Sequence, residues 1–321
     1  MILTLTPNPS IDRTVDLAEP LVRGAVHRVA AALSQAGGKG VNISRAAVAA
    51  GLPTVAVLPA APDDPFVQEL IAAGVDCRPQ PPTGEVRVNL TITEPDGTTT
   101  KLNTPGSAAT TASLAALEAG LLVHADDAAW VVLAGSLPPG APVDWYADLV
   151  RALRRTHVRI ALDTSDAPLS AVVAGLPDAA PDLMKPNAEE LASFTGEDAA
   201  RLEADPEAAA AAAAQLVAKG VGAVLATLGG NGAVLVTADG AWHAIAPPTN
   251  VVSTVGAGDS SLFGYLLGDV RGGSPIERLA LGVAYGSAAV GLAGTTVPKP
   301  SQTHPELVEV RPLNLPSGVA P

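Results

Sequence analysis

Apolar runs and amphipathic stretches alternate along most of the chain. Short runs rich in valine, leucine and alanine predict buried strands, whereas longer stretches with apolar residues three or four positions apart predict helices. The strands predicted in this way are 2–6, 54–58, 129–133, 159–162, 182–185 and 223–227. The predicted helices are 44–50, 64–73, 114–122, 143–155, 188–194, 206–219 and 276–292. Strands that alternate with helices in this order are typical of an α/β fold with a mainly parallel sheet.

Two other segments predict a second, smaller sheet. Residues 13–17 and 25–33 are short mixed runs, and residues 85–93 and 98–102 flank the turn sequence Pro95-Asp96-Gly97. We therefore expect a β-sheet lid of residues 13–35 and 85–104, which covers a cleft in a core of residues 1–12, 36–84 and 105–310. A further hairpin is predicted at 233–237 and 241–245 and an edge strand at 307–310, and residues 311–321 are expected to be a flexible tail.

The composition narrows the classes of function. With 48% hydrophobic and 16% charged residues, the 321-residue chain can bury a sizeable core. A formal net charge of −13 argues against a nucleic-acid partner, which would require clustered lysine and arginine. The single Cys77 excludes an internal disulfide, and the scattered histidines make a histidine metal site improbable. The first residues predict a strand and not a signal peptide, and no stretch resembles a membrane span, so we expect a cytoplasmic protein.

A glycine turn before a predicted helix is the most distinctive chemical feature. Gly256, Ala257 and Gly258 are followed directly by Asp259 and then by an apolar run. Backbone N–H groups in the first turn of a helix lack internal partners, so those of Ala257, Gly258 and Asp259 are expected to be free. Together with the helix dipole they form an anion site. An aspartate is unfavourable there unless it has a chemical task, so we predict a catalytic base beside a phosphoryl group. A dinucleotide-binding motif is a weaker interpretation, because the sixth position of G-x-G-x-x-G is Ser261.

A second glycine loop surrounds one lysine. Lys39 lies between Gly38 and Gly40, and Asn42 is on the first turn of the helix that follows. The loop is not a Walker A motif, because Lys39 is followed by glycine instead of serine or threonine. A lysine among glycines, which admit close approach of the backbone, is nevertheless suited to bind phosphate. Arg87, on a strand of the predicted lid, has the fork geometry that binds phosphate, although exposed strand faces often carry arginine for solubility alone.

Polar residues at two other strand ends have two interpretations each. Asn8 and Asp12 follow the first strand beside two prolines, so we expect them in a loop, where they either shape a turn or face a ligand. Taken alone, the turn is favoured. Asn187 and Glu190 share a face at the start of a helix, where they form either a capping box or a place for hydrated Mg²⁺ near phosphates. Spacing alone favours the cap.

Five motifs occur in the order found in phosphofructokinase B type sugar kinases, and the chain resembles this family over roughly residues 1–300. The motifs are 8–12, 37–42, 135–140, 185–190 and 254–260. The resemblance implies the ribokinase-like α/β fold, with a mainly parallel central sheet flanked by helices on both faces and a small β-sheet lid. One departure is Val86, because relatives commonly carry threonine before the arginine that Arg87 matches. This leaves the finer contacts of that strand open.

The resemblance also implies roles for individual residues. Asp259 would accept the proton of the acceptor hydroxyl, and Gly256, Ala257 and Gly258 would form the anion hole for the transferring phosphoryl group. The residues that match the sugar-phosphate site are Asp12, Gly38, Lys39, Asn42, Arg87 and Ser136. Those that match the ATP site are Lys185, Asn187, Thr227, Gly229 and Gly232, and Asn187 and Glu190 would place Mg²⁺ through water.

By resemblance, ATP and Mg²⁺ are the expected cofactors, a sugar phosphate is the acceptor, and a homodimer forms through the lid. Residues 1–12 and the hairpin are most similar to the bacterial 1-phosphofructokinase group, which implies conversion of fructose 1-phosphate to fructose 1,6-bisphosphate. Tagatose 6-phosphate and fructose 6-phosphate are alternative acceptors, because the named residues do not separate these sugars. A non-catalytic sugar-phosphate sensor on the same fold is the alternative from another class.

Overall fold

The computed structural model describes residues 1–315. The strands in this range are β1 (Ile2–Leu5), β2 (Ser10–Leu17), β3 (Val29–Gly37), β4 (Thr54–Pro59), β5 (Asp76–Gln80), β6 (Arg87–Thr93), β7 (Thr99–Asn103), β8 (Trp130–Ala134), β9 (Arg159–Asp163), β10 (Leu183–Met184), β11 (Ala223–Thr227), β12 (Ala233–Thr237), β13 (Gly240–Ile245) and β14 (Glu309–Leu313). The α-helices are α1 (Lys39–Ala49), α2 (Pro65–Ala72), α3 (Thr111–Ala125), α4 (Trp145–Leu153), α5 (Asp166–Ala174), α6 (Ala188–Thr195), α7 (Ala199–Ala204), α8 (Pro206–Val217), α9 (Ala257–Val270) and α10 (Pro275–Val290). None of these helices is both long and apolar enough to cross a bilayer.

Ten of the strands form one sheet, in the order β14-β13-β12-β11-β10-β9-β8-β1-β4-β5. The pairs from β11 to β5 are parallel, whereas β11 to β14 pair antiparallel at one edge. Helices α3, α4, α6 and α8 pack on one face, and α1, α9 and α10 pack on the other. The prediction of a mainly parallel central sheet flanked by helices on both faces is confirmed.

The large sheet has a hydrophobic core on each face, and the side chains of β1 contribute to both. Successive residues of a strand point to opposite faces. Leu3 and Leu5 lie in the core shared with α3 and α4, and Ile2 lies in the core shared with α1 and α9. Thr4, on the same face as Ile2, shares a hydrogen bond of 2.8 Å with Ser44 of α1. This contact holds α1 against the first strand. The start of α1 lies near the carboxyl end of β1, because a Cβ on Gly40 would lie 3.0 Å from the carbonyl oxygen of Leu5.

The second sheet consists of β3, β2, β6 and β7 in that order. Strand β2 runs antiparallel to β3 and parallel to β6. The sheet spans residues 10–37 and 87–103, so the predicted lid boundaries at 13 and 35 fall inside it. The prediction that Asp12 lies in a loop after β1 is wrong, because Asp12 lies in β2 opposite Asn89 of β6. The prolines that end β1 span only residues 7–9, and the chain enters a new strand directly afterwards.

Two further boundaries differ from the sequence predictions. Helix α1 begins at Lys39, so this lysine is the first helical residue, and Gly38 precedes it with a φ of 111°. Strand β14 pairs with β13, so the predicted flexible tail is wrong for residues 311–313. Pro312 is compatible with this strand because β14 lies at the edge of the sheet. Of the remaining predicted tail, Asn314 and Leu315 follow β14 outside any helix or strand, and residues 316–321 lie outside the described residues.

Helix α9 is held tightly at two places. A Cβ on Gly264 would lie 2.5 Å from the carbonyl oxygen of Leu281, so α9 and α10 approach more closely than a side chain would allow. Near the end of α9, the buried carboxylate of Asp269 accepts a hydrogen bond from Trp130 Nε1 (2.8 Å) and pairs with Arg278 (2.7 Å). A second arginine, at the start of β9, also pairs with Asp269. These contacts join α9 to the amino ends of β8 and β9.

Candidate active site

Loops at the carboxyl ends of the parallel strands form the candidate site. Strands β1, β8, β9, β10 and β11 end there, ahead of segments that begin near Thr6, Gly135, Thr164, Lys185 and Leu228. Ligands of open α/β sheets bind at this edge. The start of α9 lies at the same edge, because a Cβ on Gly258 would be 3.2 Å from Lys185 Nζ.

Asp259 is buried in the first turn of α9, where it is 7% exposed. Gly256 precedes the helix with a φ of 76°, a left-handed conformation that favours glycine. Asp259 Oδ2 accepts a hydrogen bond from Asn42 Nδ2 (2.8 Å). Burial and the negative charge of Asp163 raise the pKa of Asp259 from 3.8 to about 6, against the opposing effect of the nearby lysines and amide. A carboxylate with this pKa is suited to accept a proton near neutral pH.

The start of α9 matches the predicted anion site in part. Among the described residues, no backbone carbonyl accepts a hydrogen bond from the N–H groups of Gly258 and Asp259. Ala257 N, by contrast, lies 3.5 Å from Thr254 O, so the prediction of a free donor is wrong for Ala257. Two outward donors and the helix dipole therefore remain for an anion.

One buried carboxylate joins two lysines from different elements. Asp163, at the end of β9, has a fully buried side chain whose Oδ1 lies 2.6 Å from Lys39 Nζ and whose Oδ2 lies 3.1 Å from Lys185 Nζ. Burial alone would raise the pKa of Asp163, but the two lysines lower it below its usual value. Burial would likewise lower the pKa of Lys39, but Asp163 and Asp259 raise it. Asp163 and Lys39 are therefore both charged at neutral pH.

Asp12 is oriented by its neighbours in the second sheet. Its Oδ1 accepts hydrogen bonds from Ser10 Oγ (2.8 Å) and Asn89 Nδ2 (3.1 Å). A Cβ on Gly37 would collide with Asp12 Oδ2, so the absence of a side chain at Gly37 lets the carboxylate lie against the glycine loop. The Asp12 carboxylate thus connects the second sheet to the loop that precedes Lys39.

Asn8 and Arg87 lie at the boundary between the two sheets. Asn8 Nδ2 donates to Ser136 Oγ (3.3 Å), which fixes the loop after β8. Arg87 Nη1 donates to Thr104 O (2.9 Å), whereas Arg87 Nε is buried without a partner among the described residues. Burial lowers the pKa of Arg87, and Asp12 opposes that effect. A buried guanidinium donor without a partner is suited to bind an anionic group.

Asn187 and Glu190 form the capping box that spacing favoured. Asn187 Oδ1 accepts from the N–H of Glu190 (2.7 Å), and Glu190 Oε2 accepts from the N–H of Asn187 (2.8 Å). Asn187 also pairs with Thr227 in a parallel bridge, which brings this turn beside the end of β11. Burial raises the pKa of Glu190, although the Asn187 N–H and Lys185 act in the opposite direction.

The glycines after β11 are explained by packing. Gly229 and Gly232 have φ values of 54° and 83°. A Cβ on Gly229 would collide with the Glu203 carboxylate of α7, and one on Gly232 would collide with Ala244 O of β13. A contact between these glycines and ATP stays a prediction.

Four of the predicted site residues form one group with Asp163. They are Asp259, Asn42, Lys39 and Lys185. Asp12 and Arg87 belong to the second sheet and form no hydrogen bond to that group among the described residues. Sequence reasoning missed three residues, Asp163, Ser10 and Asn89. The sequence could have indicated Asp163, because it follows a predicted buried strand and ligands bind at the carboxyl ends of such strands. Asn89 carried no such signal, because its contact with Asp12 depends on the register of β2 and β6. Ser10 lies two residues before Asp12 on the same face of β2, so its contact is local once that strand is assigned.

Comparison with known proteins bears out the resemblance. Residues 5–302 match the pfkB family of carbohydrate kinases. A 1-phosphofructokinase from Rhodobacter capsulatus is 37% identical over 94% of both chains, and one from Haloferax volcanii is 37% identical over 97% of this chain and 99% of its own. The crystal structure of phosphofructokinase-2 from Escherichia coli in complex with substrates and products aligns with a TM-score of 0.85 at 29% identity, over 94% of this chain and 96% of that one. The expected ribokinase-like fold is confirmed.

The raised pKa of Asp259 predicts a pH-dependent contribution to stability. A carboxyl with a higher pKa in the folded state than in the unfolded state adds stability below pH 3.8, and that contribution is lost as the pH rises through about 6. Relative to Asp259→Asn, which does not titrate, the wild-type protein should lose up to about 3 kcal/mol of unfolding free energy between about pH 4 and about pH 7. Urea unfolding of both proteins measures this difference. A difference that does not depend on pH would contradict the raised pKa.

Proposed function

We propose, because this chain belongs to the pfkB family of carbohydrate kinases, that it transfers the γ-phosphoryl group of ATP to fructose 1-phosphate and forms fructose 1,6-bisphosphate. The acceptor is inferred from the relatives named 1-phosphofructokinase, which match along nearly their whole length. The observation that carries the chemistry is the buried Asp259, with a pKa of about 6, in the first turn of α9. Two lysines joined by Asp163 lie beside it.

Asp259 acts as the general base in this proposal. Its carboxylate takes the proton from the C6 hydroxyl of the sugar, and the hydrogen bond from Asn42 Nδ2 orients it. The N–H groups of Gly258 and Asp259 and the helix dipole stabilise the charge on the transferring phosphoryl group, and Gly256 and Ala257 form the turn that presents them. Phosphoryl transfer depends mainly on such positioning and charge neutralisation.

The sugar phosphate lies between the core and the second sheet. Lys39 and Arg87 bind its existing phosphate from α1 and β6, and the Arg87 Nε is a buried donor that this anion can satisfy. Asp12 accepts hydrogen bonds from the sugar hydroxyls. The remaining residues that contact this substrate are Gly38, Asn42 and Ser136. Since the second sheet carries Arg87 and Asp12, its closure on the sugar would exclude water from the reacting groups.

ATP lies along the ends of β10 and β11. The residues beside it are Lys185, Asn187, Thr227, Gly229 and Gly232. Because ATP is the donor, we place the protein in the cytoplasm.

The turn at Asn187 and Glu190 fits a hydrated Mg²⁺. The capping box uses only one carboxylate oxygen of Glu190. In residues 1–315, no group of three or more His, Cys, Asp or Glu side chains could hold an ion unaided. Mg²⁺ commonly takes one or two protein ligands together with phosphates and water, and this donor set meets that need. When bound, Mg²⁺ neutralises charge on the ATP phosphates.

The exposed edge of the second sheet supports a homodimer. Strand β3 presents Val29 and Leu33, which are 49% and 45% exposed, and Val26 in the preceding loop is 90% exposed. An exposed apolar edge strand favours pairing with another chain. We therefore place the second copy of this chain on β3.

Turnover with three acceptors tests the proposed function. The purified protein is assayed for ADP release with MgATP and fructose 1-phosphate, fructose 6-phosphate or tagatose 6-phosphate in parallel. We expect the highest kcat/KM with fructose 1-phosphate. A higher kcat/KM with another sugar phosphate would change the proposed acceptor but not the proposed phosphoryl transfer. If none of the three sugar phosphates gave ADP release, a non-catalytic sugar-phosphate sensor would be favoured.

Replacing the base should remove turnover but not binding. Asp259→Asn keeps the size of the side chain and an acceptor for Asn42, so KM for both substrates should change little. Loss of a general base lowers kcat by roughly 10²–10⁴-fold. Asp239→Asn, an exposed turn position, serves as the control with unchanged activity. Near wild-type turnover by Asp259→Asn would exclude it as the base.

A charge on the exposed strand should separate the dimer. Leu33→Asp places a carboxylate on the β3 edge and should give a monomer by light scattering, whereas the wild type should be a dimer. Val123→Asp, on a 74% exposed position of α3, is the matched control and should stay a dimer. A monomeric wild type, or a dimeric Leu33→Asp, would argue against β3 as the contact.

A further inference from the structure

We propose that Asp163 is a positioning residue for phosphoryl transfer, whose carboxylate holds the ammonium groups of Lys39 and Lys185 together where the sugar phosphate and ATP meet. The inference rests on the proposed function, since that function assigns Lys39 to the sugar phosphate and Lys185 to ATP. Asp163 acts through the two lysines and through its charge, and it does not contact the reacting atoms.

Three elements converge on this carboxylate. Asp163 is the last residue of β9, Lys39 is the first of α1, and Lys185 follows β10 directly. Each lysine Nζ contacts a different oxygen, at 2.6 Å for Lys39 and 3.1 Å for Lys185. The Asp163 side chain is 0% exposed and that of Lys39 is 34% exposed, so solvent reaches Lys39 but not the carboxylate. A phosphate that enters the cleft therefore meets the lysine and not Asp163.

A carboxylate is needed at this place because two ammonium groups so close together repel each other. A planar group at the end of a strand fixes the spacing and direction of both lysines. Lys185 also borders the anion hole, since its Nζ would lie 3.2 Å from a Cβ on Gly258. Without the charge on Asp163, the two lysines should move apart, and the donor and acceptor phosphates would lose their alignment.

The same charge acts on the base. After burial, the negative charge of Asp163 is the largest influence that raises the pKa of Asp259, whereas the two lysines and Asn42 lower it. Two other titratable groups face Asp163: Tyr146 of α4, which burial keeps neutral, and Glu190 of α6. Removing one negative charge while both lysines stay must therefore lower the pKa of Asp259.

The backbone of Asp163 has a separate structural role. Its carbonyl accepts a hydrogen bond from Gly135 N–H (2.9 Å), and Gly135 O accepts one from Thr164 Oγ1 (2.9 Å). These contacts hold the loop that carries Ser136. The substitution Asp163→Asn keeps them and nearly preserves the side-chain volume, but it removes the negative charge and leaves one oxygen acceptor for the two lysines.

The test compares Asp163→Asn with the wild-type chain, assayed with MgATP and the sugar phosphate that the wild type turns over fastest. We expect kcat to fall roughly 10²-fold, as for reacting groups displaced by about 1 Å. KM for both substrates should change much less, because both lysines remain. The acidic limb of the kcat–pH profile should move to lower pH, which loss of a purely structural contact would not produce.

Asp269→Asn is the matched control. Asp269 is also 0% exposed in its side chain and lies between cationic side chains, but at the other end of α9. Both substitutions should lower the urea midpoint of unfolding. Only Asp163→Asn should move the acidic limb, and an equal movement in Asp269→Asn would overturn the assigned role.

A second measurement needs no turnover and separates this proposal from the proposed function. The pH-dependent stability difference between wild type and Asp259→Asn is measured again with Asp163→Asn in both chains. Its midpoint should fall below the value of about 6 expected for Asp259 in the wild type. An unshifted midpoint, or wild-type kcat in Asp163→Asn, would overturn the role of Asp163. If the wild type turns over no sugar phosphate, the proposed function fails together with the positioning role that rests on it, whereas the midpoint still decides whether Asp163 raises the pKa of Asp259.

Discussion

The site depends on a balance of charge at one end of the parallel sheet. Two aspartates and two lysines contribute to this balance: Asp163, Asp259, Lys39 and Lys185. Asp163 contacts both lysines and stays ionised although it is buried. Asp259 accepts a hydrogen bond from an amide and has a raised pKa. Two carboxylates in one cleft thus differ because their partners differ. Because of this difference, Asp163 holds the two lysines, whereas Asp259 can take up a proton.

Helix α9 connects this cleft to the rest of the fold. Its first turn carries Asp259, and its last turn carries Asp269, which is tied to β8, β9 and α10. Between them, Gly264 allows α10 to approach so closely that a methyl group would collide with its backbone. A helix held along its length in this way can keep a carboxylate and two N–H donors in fixed positions, which electrostatic stabilisation of a transferring phosphoryl group requires.

The second sheet has two sides to its function. The end of this sheet that adjoins the core carries Asp12 and Arg87. The pairing of β2 with β6 places Asn89 where it orients the Asp12 carboxylate. The free edge of the sheet, β3, is apolar and exposed. In the proposed enzyme, closure over the sugar and contact with a second copy would therefore involve the same small sheet, so assembly and substrate binding would share one structural element.

Local pattern in the sequence determined the α/β class, most strands and helices, the glycine turns and the candidacy of Asp259, because periodicity, capping and turn chemistry act within a few residues. It also indicated the capping box of Asn187 and Glu190, which the structure contains. Only the tertiary structure decided that Asp163 joins Lys39, 124 positions away, and that Asp12 lies in a strand beside Asn89. The physical reason is that charge pairing and register depend on which strand ends become neighbours, and the order β10-β9-β8-β1 does not follow the order of the chain.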